Sequence, residues 1–186
     1  QLKNTQVVAV DKTGTLTEGK PKLTDFEVTE AFDKDRVFQL LASVEQKSEH
    51  PIAYAIVQAA KEMQVQLLEV EQFDSVTGAG IQAVVEGQSI YIGADHLMHK
   101  LGLETQIFSA LAERMGNEGK TPLYVSIDQQ LAAIVAVADP IKATTFAAIQ
   151  ALHDLGLKVA MITGDNRHTA SAIARQLKID HVIAEV

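Results

Sequence analysis

Cysteine and tryptophan are both absent from the 186 residues, and aromatic residues make up only 5% of them. Without cysteine there are no disulfides, no thiolate metal ligands and no thiol nucleophile. Long apolar runs are missing as well. The longest lies near 131–138, far short of the ~20 residues that a membrane helix needs. No signal-peptide pattern opens the chain, so the stretch reads as a soluble piece. Positive charge is scarce, with 16 Lys and Arg against 24 Asp and Glu and a formal net charge of −8. That balance argues against a nucleic-acid partner. Internal repeats and low-complexity tracts are also lacking. What remains is 47% hydrophobic, enough for a genuine core in one large or two small domains.

The first informative stretch is 7–17. Residues 7–10 (Val-Val-Ala-Val) form a short β-branched apolar run, the pattern of a buried parallel strand. Asp11 follows directly, which puts its carboxylate at the carboxyl end of that strand, where open α/β sheets bind ligands. Gly14 permits a sharp turn, and Thr13, Thr15 and Thr17 crowd that turn with hydroxyls. A carboxylate in such a turn can act as a covalent nucleophile toward a phosphoryl group, and Lys12 can offset phosphate charge.

Further along, 23–29 reads as a strand. Asp33 is a good N-cap for a helix over 34–46, with Val37, Leu40, Leu41 and Val44 on one apolar face. Ser48-Glu49-His50-Pro51 punctuates the chain. Pro51 suits the first position of a second helix to about residue 64, with His50 at its N-terminus, where the helix dipole favours a neutral imidazole. Strands are expected over 73–76, 81–85 and 88–92. Gly78-Ala79-Gly80 joins the first two, and Glu86-Gly87 turns between the others. Gly78-x-Gly80 lacks the third glycine and following helix of a dinucleotide fingerprint. Helices are expected over 94–100 and 104–115, a loop over 116–119, and a hairpin of 123–127 with 131–138. After Asp139-Pro140-Ile141-Lys142 the pattern changes. A helix with Phe146, Ile149 and Leu152 inward precedes a buried strand over 159–162. Thr163-Gly164-Asp165-Asn166 is a loop at that strand's carboxyl end. A helix burying Ala170, Ile173, Ala174 and Leu177 leads to a third strand near 182–184. This alternation argues a parallel sheet to which 7–10 belongs, so that 22–137 is an insertion.

Asp11 and Thr163-Gly164-Asp165 can therefore converge on one phosphate, with the Thr163 hydroxyl and a helix N-terminus binding its oxygens. His96 and His99, three apart, and the scattered His153, His168 and His181 read as surface residues, since no acidic or cysteine partner completes a ligand set.

Taken together, Asp11-Lys12-Thr13-Gly14-Thr15-Leu16-Thr17, Ser48-Glu49-His50-Pro51, Gly78-x-Gly80, Asp139-Pro140-x-Lys142 and Thr163-Gly164-Asp165-Asn166 resemble, over the whole length, the heavy-metal-transporting P-type ATPases. The resemblance implies a haloacid-dehalogenase-like parallel sheet, here incomplete. An α+β nucleotide-binding domain built on an antiparallel sheet is inserted in it. The phosphorylation domain would be 1–21 with 138–186, and the nucleotide-binding domain 22–137. It implies ATP and Mg2+ as cofactors, ATP or ADP as partner, and transfer of the γ-phosphate to Asp11 to drive metal transport. Lys12, Thr13, Thr163, Gly164 and Asp165 would be catalytic beside Asp11. Asp11 and the Thr13 carbonyl would touch magnesium. Glu45, Glu49, His50, Gly78, Gly80 and Gly93 would hold the nucleotide. The metal would be copper, handled by a membrane domain outside this chain, which would make the chain a cytosolic fragment of an integral membrane protein. The alternatives are a zinc, cadmium or lead pump, a haloacid-dehalogenase-like phosphohydrolase, or a nucleotide-binding regulatory module without turnover.

Three departures qualify the resemblance. Ala94 stands where the family often has Asn. Thr13 stands where the phosphatases of the superfamily carry an Asp as general acid/base, which suits an enzyme whose phosphoaspartate must persist. The family's Gly-Asp-Gly-x-Asn-Asp segment, with its magnesium carboxylates, does not occur, so this chain alone is expected to turn over little or no ATP.

Overall fold

The computed structural model describes residues 6–76 and 80–186. In chain order the elements are β1 (Val7–Asp11), β2 (Lys22–Val28), α1 (Lys34–Glu45), α2 (Pro51–Glu62), β3 (Gln72–Val76), β4 (Gly80–Val85) and β5 (Gln88–Gly93). They continue with α3 (Asp95–Lys100), α4 (Ser109–Asn117), β6 (Thr121–Ile127), β7 (Gln130–Ala138), α5 (Thr145–Asp154), β8 (Lys158–Ile162), α6 (Arg167–Leu177) and β9 (His181–Ile183). The chain divides into two compact units. The first takes the residues up to Lys20 with Arg114–Lys120 and Asp139–Val186, and the second takes Pro21–Glu113 with Thr121–Ala138.

The first unit is built on a parallel sheet in the order β1-β8-β9. β8 sits between its neighbours, and Val159, Ala160 and Met161 are buried. β1 differs from the expectation of a buried strand. Its residues alternate between exposed and half-buried, and Val7 is 45% exposed. Among the described residues β1 pairs with β8 alone, and an edge strand does not need the two-sided burial that its apolar composition would allow. α6 follows the expected pattern: Ala170, Ile173, Ala174 and Leu177 are buried against Val159 and Met161. The Asn166 side chain caps it, accepting from the Thr169 amide at 2.9 Å.

α5 corrects one expectation. Ile149 is buried and Leu152 packs on the core, but Phe146 is 47% exposed, and Thr145 faces inward in its place. The Thr145 hydroxyl donates to the Leu16 carbonyl at 2.6 Å, and that bond sets the helix's rotation. Phe146 instead lies under the Lys178 ammonium, 5.5 Å from the ring centre.

The second unit carries a six-stranded antiparallel sheet in the order β2-β7-β6-β5-β4-β3. Val37, Leu40, Leu41 and Val44 of α1, each at most 1% exposed, pack with Ile56 and Ala60 of α2 on the strand residues Val85, Ile90, Ile92, Val125, Ile127 and Val135. Each fully buried side chain of this size contributes on the order of 1.5–3 kcal/mol, so the helix pair and the sheet stabilise one another. Two-residue turns at Glu86-Gly87 and Asp128-Gln129 have positive φ at both positions, the twist-matched hairpin geometry. Asp128 Oδ1 also accepts from the Ser89 amide at 2.9 Å, which ties the two hairpins together. α4 runs through Asn117, two residues into the expected loop, and Gly119 at φ 76° follows its end.

Candidate functional site

In the second unit a cavity of about 350 Å3 opens where β4 and β5 meet the connection between α1 and α2. Its wall begins with backbone. Gly80 and Gly93 face each other in the β4–β5 register. Gly80 has φ 150°, and a Cβ there would lie 2.1 Å from the Ile92 carbonyl oxygen. No side chain fits at that point, so the strands stay close and the space above them stays open. Gly78 lies outside the described residues.

His50 is the N-cap of α2, and Pro51 takes the first helical position as expected. The His50 Nδ1 accepts from the Ile52 amide at 3.2 Å, and the Ser48 hydroxyl accepts from the His50 amide at 3.2 Å. An accepting Nδ1 puts the neutral ring's proton on Nε2 and fixes the ring as a cavity wall. Glu45, in the last turn of α1, also lines the cavity and is 3% exposed. Among the described residues nothing hydrogen-bonds its carboxyl group. Burial alone pushes its pKa up to about 7, since the charged form loses water without gaining a partner. Glu49 does not line this cavity. It lines an adjoining hollow that shares Glu45, Ser48 and His50.

His96 is exposed, as its sequence pattern predicts, and it also lines the cavity. The signal was its place just after Gly93-Ala94, on the first turn of α3. His99 points to Asp95 instead, with Nδ1 3.3 Å from Oδ2. Ala94 is the N-cap of α3 and makes no side-chain cap. An Asn there would both face the cavity and cap the helix.

In the first unit the register pairs Asp11 with Ile162, so Asp11 and Thr163 leave adjacent parallel strands at the same end. Asp11 is exposed and its carboxylate has no hydrogen bond among the described residues. Thr163 is 4% exposed. Its amide donates to the Ile183 carbonyl at 3.0 Å, and its hydroxyl accepts from the Asp165 amide at 3.1 Å. The hydroxyl proton therefore remains available. Gly164 sits between them with the Val186 carbonyl 3.4 Å from where its Cβ would stand. Lys12 is held by Asp165 at 2.5 Å, with side chains 11% and 22% exposed.

The turn after Asp11 is shaped by Thr13 at ψ 122° and Gly14 at φ 75°. Thr17, fully buried, donates its hydroxyl to Asp139 Oδ2 at 2.5 Å and accepts from the Gly14 amide at 3.2 Å. Lys142 donates to the Gly14 carbonyl. The sequence marks Asp139 and Lys142 as part of a motif, but not their contacts with Thr17 and Gly14, each more than 100 positions away. Asp11 and the Thr13 carbonyl are two hard oxygen donors of the kind magnesium takes. Among the described residues no group of three His, Cys, Asp or Glu is placed to hold a metal.

This parallel sheet, with a carboxylate at the end of its first strand, defines a class, and the chain belongs to the haloacid dehalogenase-like hydrolase family, whose model matches residues 5–186. Its relatives narrow the class. The chain is 55% identical over 185 residues to "Copper-transporting ATPase 1" of Rhizobium meliloti (strain 1021), covering 100% of this chain and 22% of that protein. It is 43% identical over 179 residues to "Copper-exporting P-type ATPase" of Bacillus subtilis (strain 168), covering 96% of this chain and 22% of that protein. The chain thus spans about a fifth of the length of the curated relatives it matches. Among solved structures, a zinc-transporting PIB-type ATPase in its E2.Pi state superposes with a TM-score of 0.76 at 34% identity, covering 98% of this chain and 29% of that one. The catalytic domain of the CPx-ATPase CopB-B gives 0.70 at 25% identity, covering 100% and 64%. The resemblance to heavy-metal-transporting P-type ATPases read from the motifs agrees with these relatives. No helix among the described residues is long and apolar enough to cross a membrane.

The Glu45 pKa has a stability consequence with a definite sign. The folded value is about 7 against a usual 4.5, so the native state binds the extra proton between those values. Stability is full below pH 4.5 and falls as pH rises toward and through 7. The cost by pH 8 is about 3 kcal/mol at most. Glu45→Gln removes the titration. Urea unfolding at pH 5 and pH 8 is expected to show the variant gaining about 2–3 kcal/mol on the parent over that interval. A constant difference between the two would refute the burial of an unpartnered carboxyl.

Proposed function

We propose that this chain is the ATP-binding and aspartyl-phosphorylation region of a heavy-metal-transporting P-type ATPase, with copper as the transported ion. The observation that carries the reading is the register that sets Asp11 beside Thr163 at the carboxyl end of two adjacent parallel strands. Copper is favoured over zinc by the names of the relatives at 55% and 53% identity, against a zinc-transporting structural neighbour at 34%. The chain would lie on the cytosolic side of the membrane, with the metal handled by a membrane domain of the larger protein.

Residues 22–137 serve as the nucleotide-binding domain, and 1–21 with 138–186 as the phosphorylation domain. The cavity takes the nucleoside end of ATP, with His50 packing on the base and Glu45, Gly80 and Gly93 shaping the pocket; Gly78 belongs to the same set. Glu49 has a supporting place in the adjoining hollow. Asp11 Oδ attacks the γ-phosphorus, the bond to the bridging oxygen breaks, ADP leaves, and an acyl phosphate remains on Asp11. Thr163 donates its hydroxyl proton to a phosphoryl oxygen. Lys12 neutralises charge there, with Asp165 fixing its position, and Gly164 lets the backbone approach. The residues that would hold Mg2+ are Asp11 and Thr13, through its carbonyl, with phosphate oxygens and water completing the shell. The ion supplies charge neutralisation. Thr13 cannot act as a general base, which disfavours a phosphohydrolase and preserves the acyl phosphate.

His50→Ala is expected to weaken ADP binding by about 1 kcal/mol, roughly five-fold, through lost stacking. Calorimetry on the 186-residue chain checks this, and equal affinities would remove His50 from the site. In the full-length pump, ATP is expected to leave an acid-stable, hydroxylamine-labile phosphoprotein that Asp11→Asn abolishes. A phosphoprotein that persists in this variant would overturn Asp11 as nucleophile.

A further inference from the structure

We propose that the Glu45 carboxyl group meets the nucleotide base in its neutral form, so that adenine is selected through a bound proton and selection weakens as pH rises. The proposal rests on the reading that the cavity holds a nucleotide.

Glu45 is 3% exposed, lines the cavity, and has no hydrogen-bond partner among the described residues. A buried acid with both oxygens unpaired is a recognition element waiting for a complement. The titratable groups that face it are few. His50 comes from the α1–α2 connection and His96 from α3. Glu49 and Tyr54 line the hollow on the other side of Glu45. Among the described residues the strands β3, β4, β5 and β6 add no group that titrates, Ser75, Ile81, Ile92 and Leu123 being the side chains they present beside Val76 and the two glycines. No Lys or Arg among the described residues lines either hollow to hold the carboxylate charged. The position of Glu45 thus favours the acid over the carboxylate until about neutral pH.

The base edges give this protonation state a meaning. Adenine presents a ring-nitrogen acceptor beside its amino donor. A neutral carboxyl offers one O–H donor and one carbonyl acceptor, a two-bond match. A carboxylate has acceptors only. It keeps the amino bond and sets negative charge against a ring lone pair. Guanine instead presents an N–H beside an amino group, two donors that suit the carboxylate. The proton balance is simple: where Glu45 is ionised in the free protein, adenine binding draws one proton from the buffer onto it. Glutamine mimics the neutral acid permanently, with an amide N–H for the O–H.

The test is calorimetry of ADP and GDP binding to the 186-residue chain and to Glu45→Gln between pH 6 and pH 8.5, in buffers of different ionisation heat. ADP affinity of the parent is expected to fall several-fold across that range, with net proton uptake near pH 8. The variant is expected to hold its ADP affinity within a factor of about two of its pH 6 value, after subtraction of the phosphate titration common to both proteins. GDP should gain on ADP with rising pH only in the parent. A second measurement needs no variant: the 13C shift of the Glu45 carboxyl should titrate with a higher midpoint when ADP is saturating. An unchanged or lowered midpoint, or parent and variant with the same pH profile and proton uptake, overturns the proposal while leaving the nucleotide site intact. Absence of ADP binding to either protein at every pH overturns the nucleotide reading and this proposal with it.

Discussion

One carboxylate, Asp139, ties the chain's exit from the first unit to its return. Its Oδ2 accepts from the Thr17 hydroxyl at 2.5 Å and from the Gly19 amide at 3.1 Å, and its Oδ1 accepts from the Lys20 amide at 3.0 Å. These donors stand where the chain leaves the unit, and Asp139 stands where it returns. The link is reinforced by the Glu18 amide donating to the Pro140 carbonyl at 2.8 Å and by the bridge between Thr17 and Ile141. Charge-assisted bonds of this kind are about twice as strong as neutral ones. Thr17 in turn holds the Gly14 amide, so the turn carrying Thr13 and presenting Asp11 is fixed from behind. More than a hundred intervening residues can then be accommodated without loosening the turn that presents Asp11.

The second unit solves a different problem. Its helix pair and six-stranded sheet bury a continuous apolar core, and at one edge of that core sits Glu45, a titratable group with no hydrogen-bond partner among the described residues. Such a residue costs stability whenever it ionises. It persists beside the glycine pair and the capping His50, where Gly80 has no room for a side chain and the space is open. A local sacrifice of stability next to a preformed cavity is the arrangement expected of a binding site.

Much of this was legible in the sequence, for identifiable reasons. The α1 face, the α6 face and the two-residue turn at Glu86-Gly87 follow from periodicity and turn chemistry, which are local, while the second hairpin, expected around 128–130, closes one residue tighter with β7 starting at Gln130. Pro51 and His50 announce the start of α2 in the same way. The motifs around Asp11 and Thr163 disclose a parallel sheet because each follows a short apolar run. What was illegible is long-range. Phe146 looks like a core residue until the Thr145 hydroxyl's bond to Leu16 rotates α5. The run 7–10 looks buried until the strand order leaves β1 paired on one side only among the described residues. Asp139 and Lys142 look like boundary residues until the fold brings them to the Asp11 turn. His96 is the exposed histidine its pattern predicts, and its place beside the cavity emerges only once α3 is set against β5 and β6.

We propose that the nucleotide occupies the cavity formed by the β4–β5 glycines, the end of α1 and the His50 cap. Amide chemical-shift mapping of the isotopically labelled chain during an ADP titration addresses it directly. The expected result is a saturable response with its largest changes at Glu45, His50, Gly80, Gly93 and His96. A titration that leaves these amides unmoved while shifting others would contradict it.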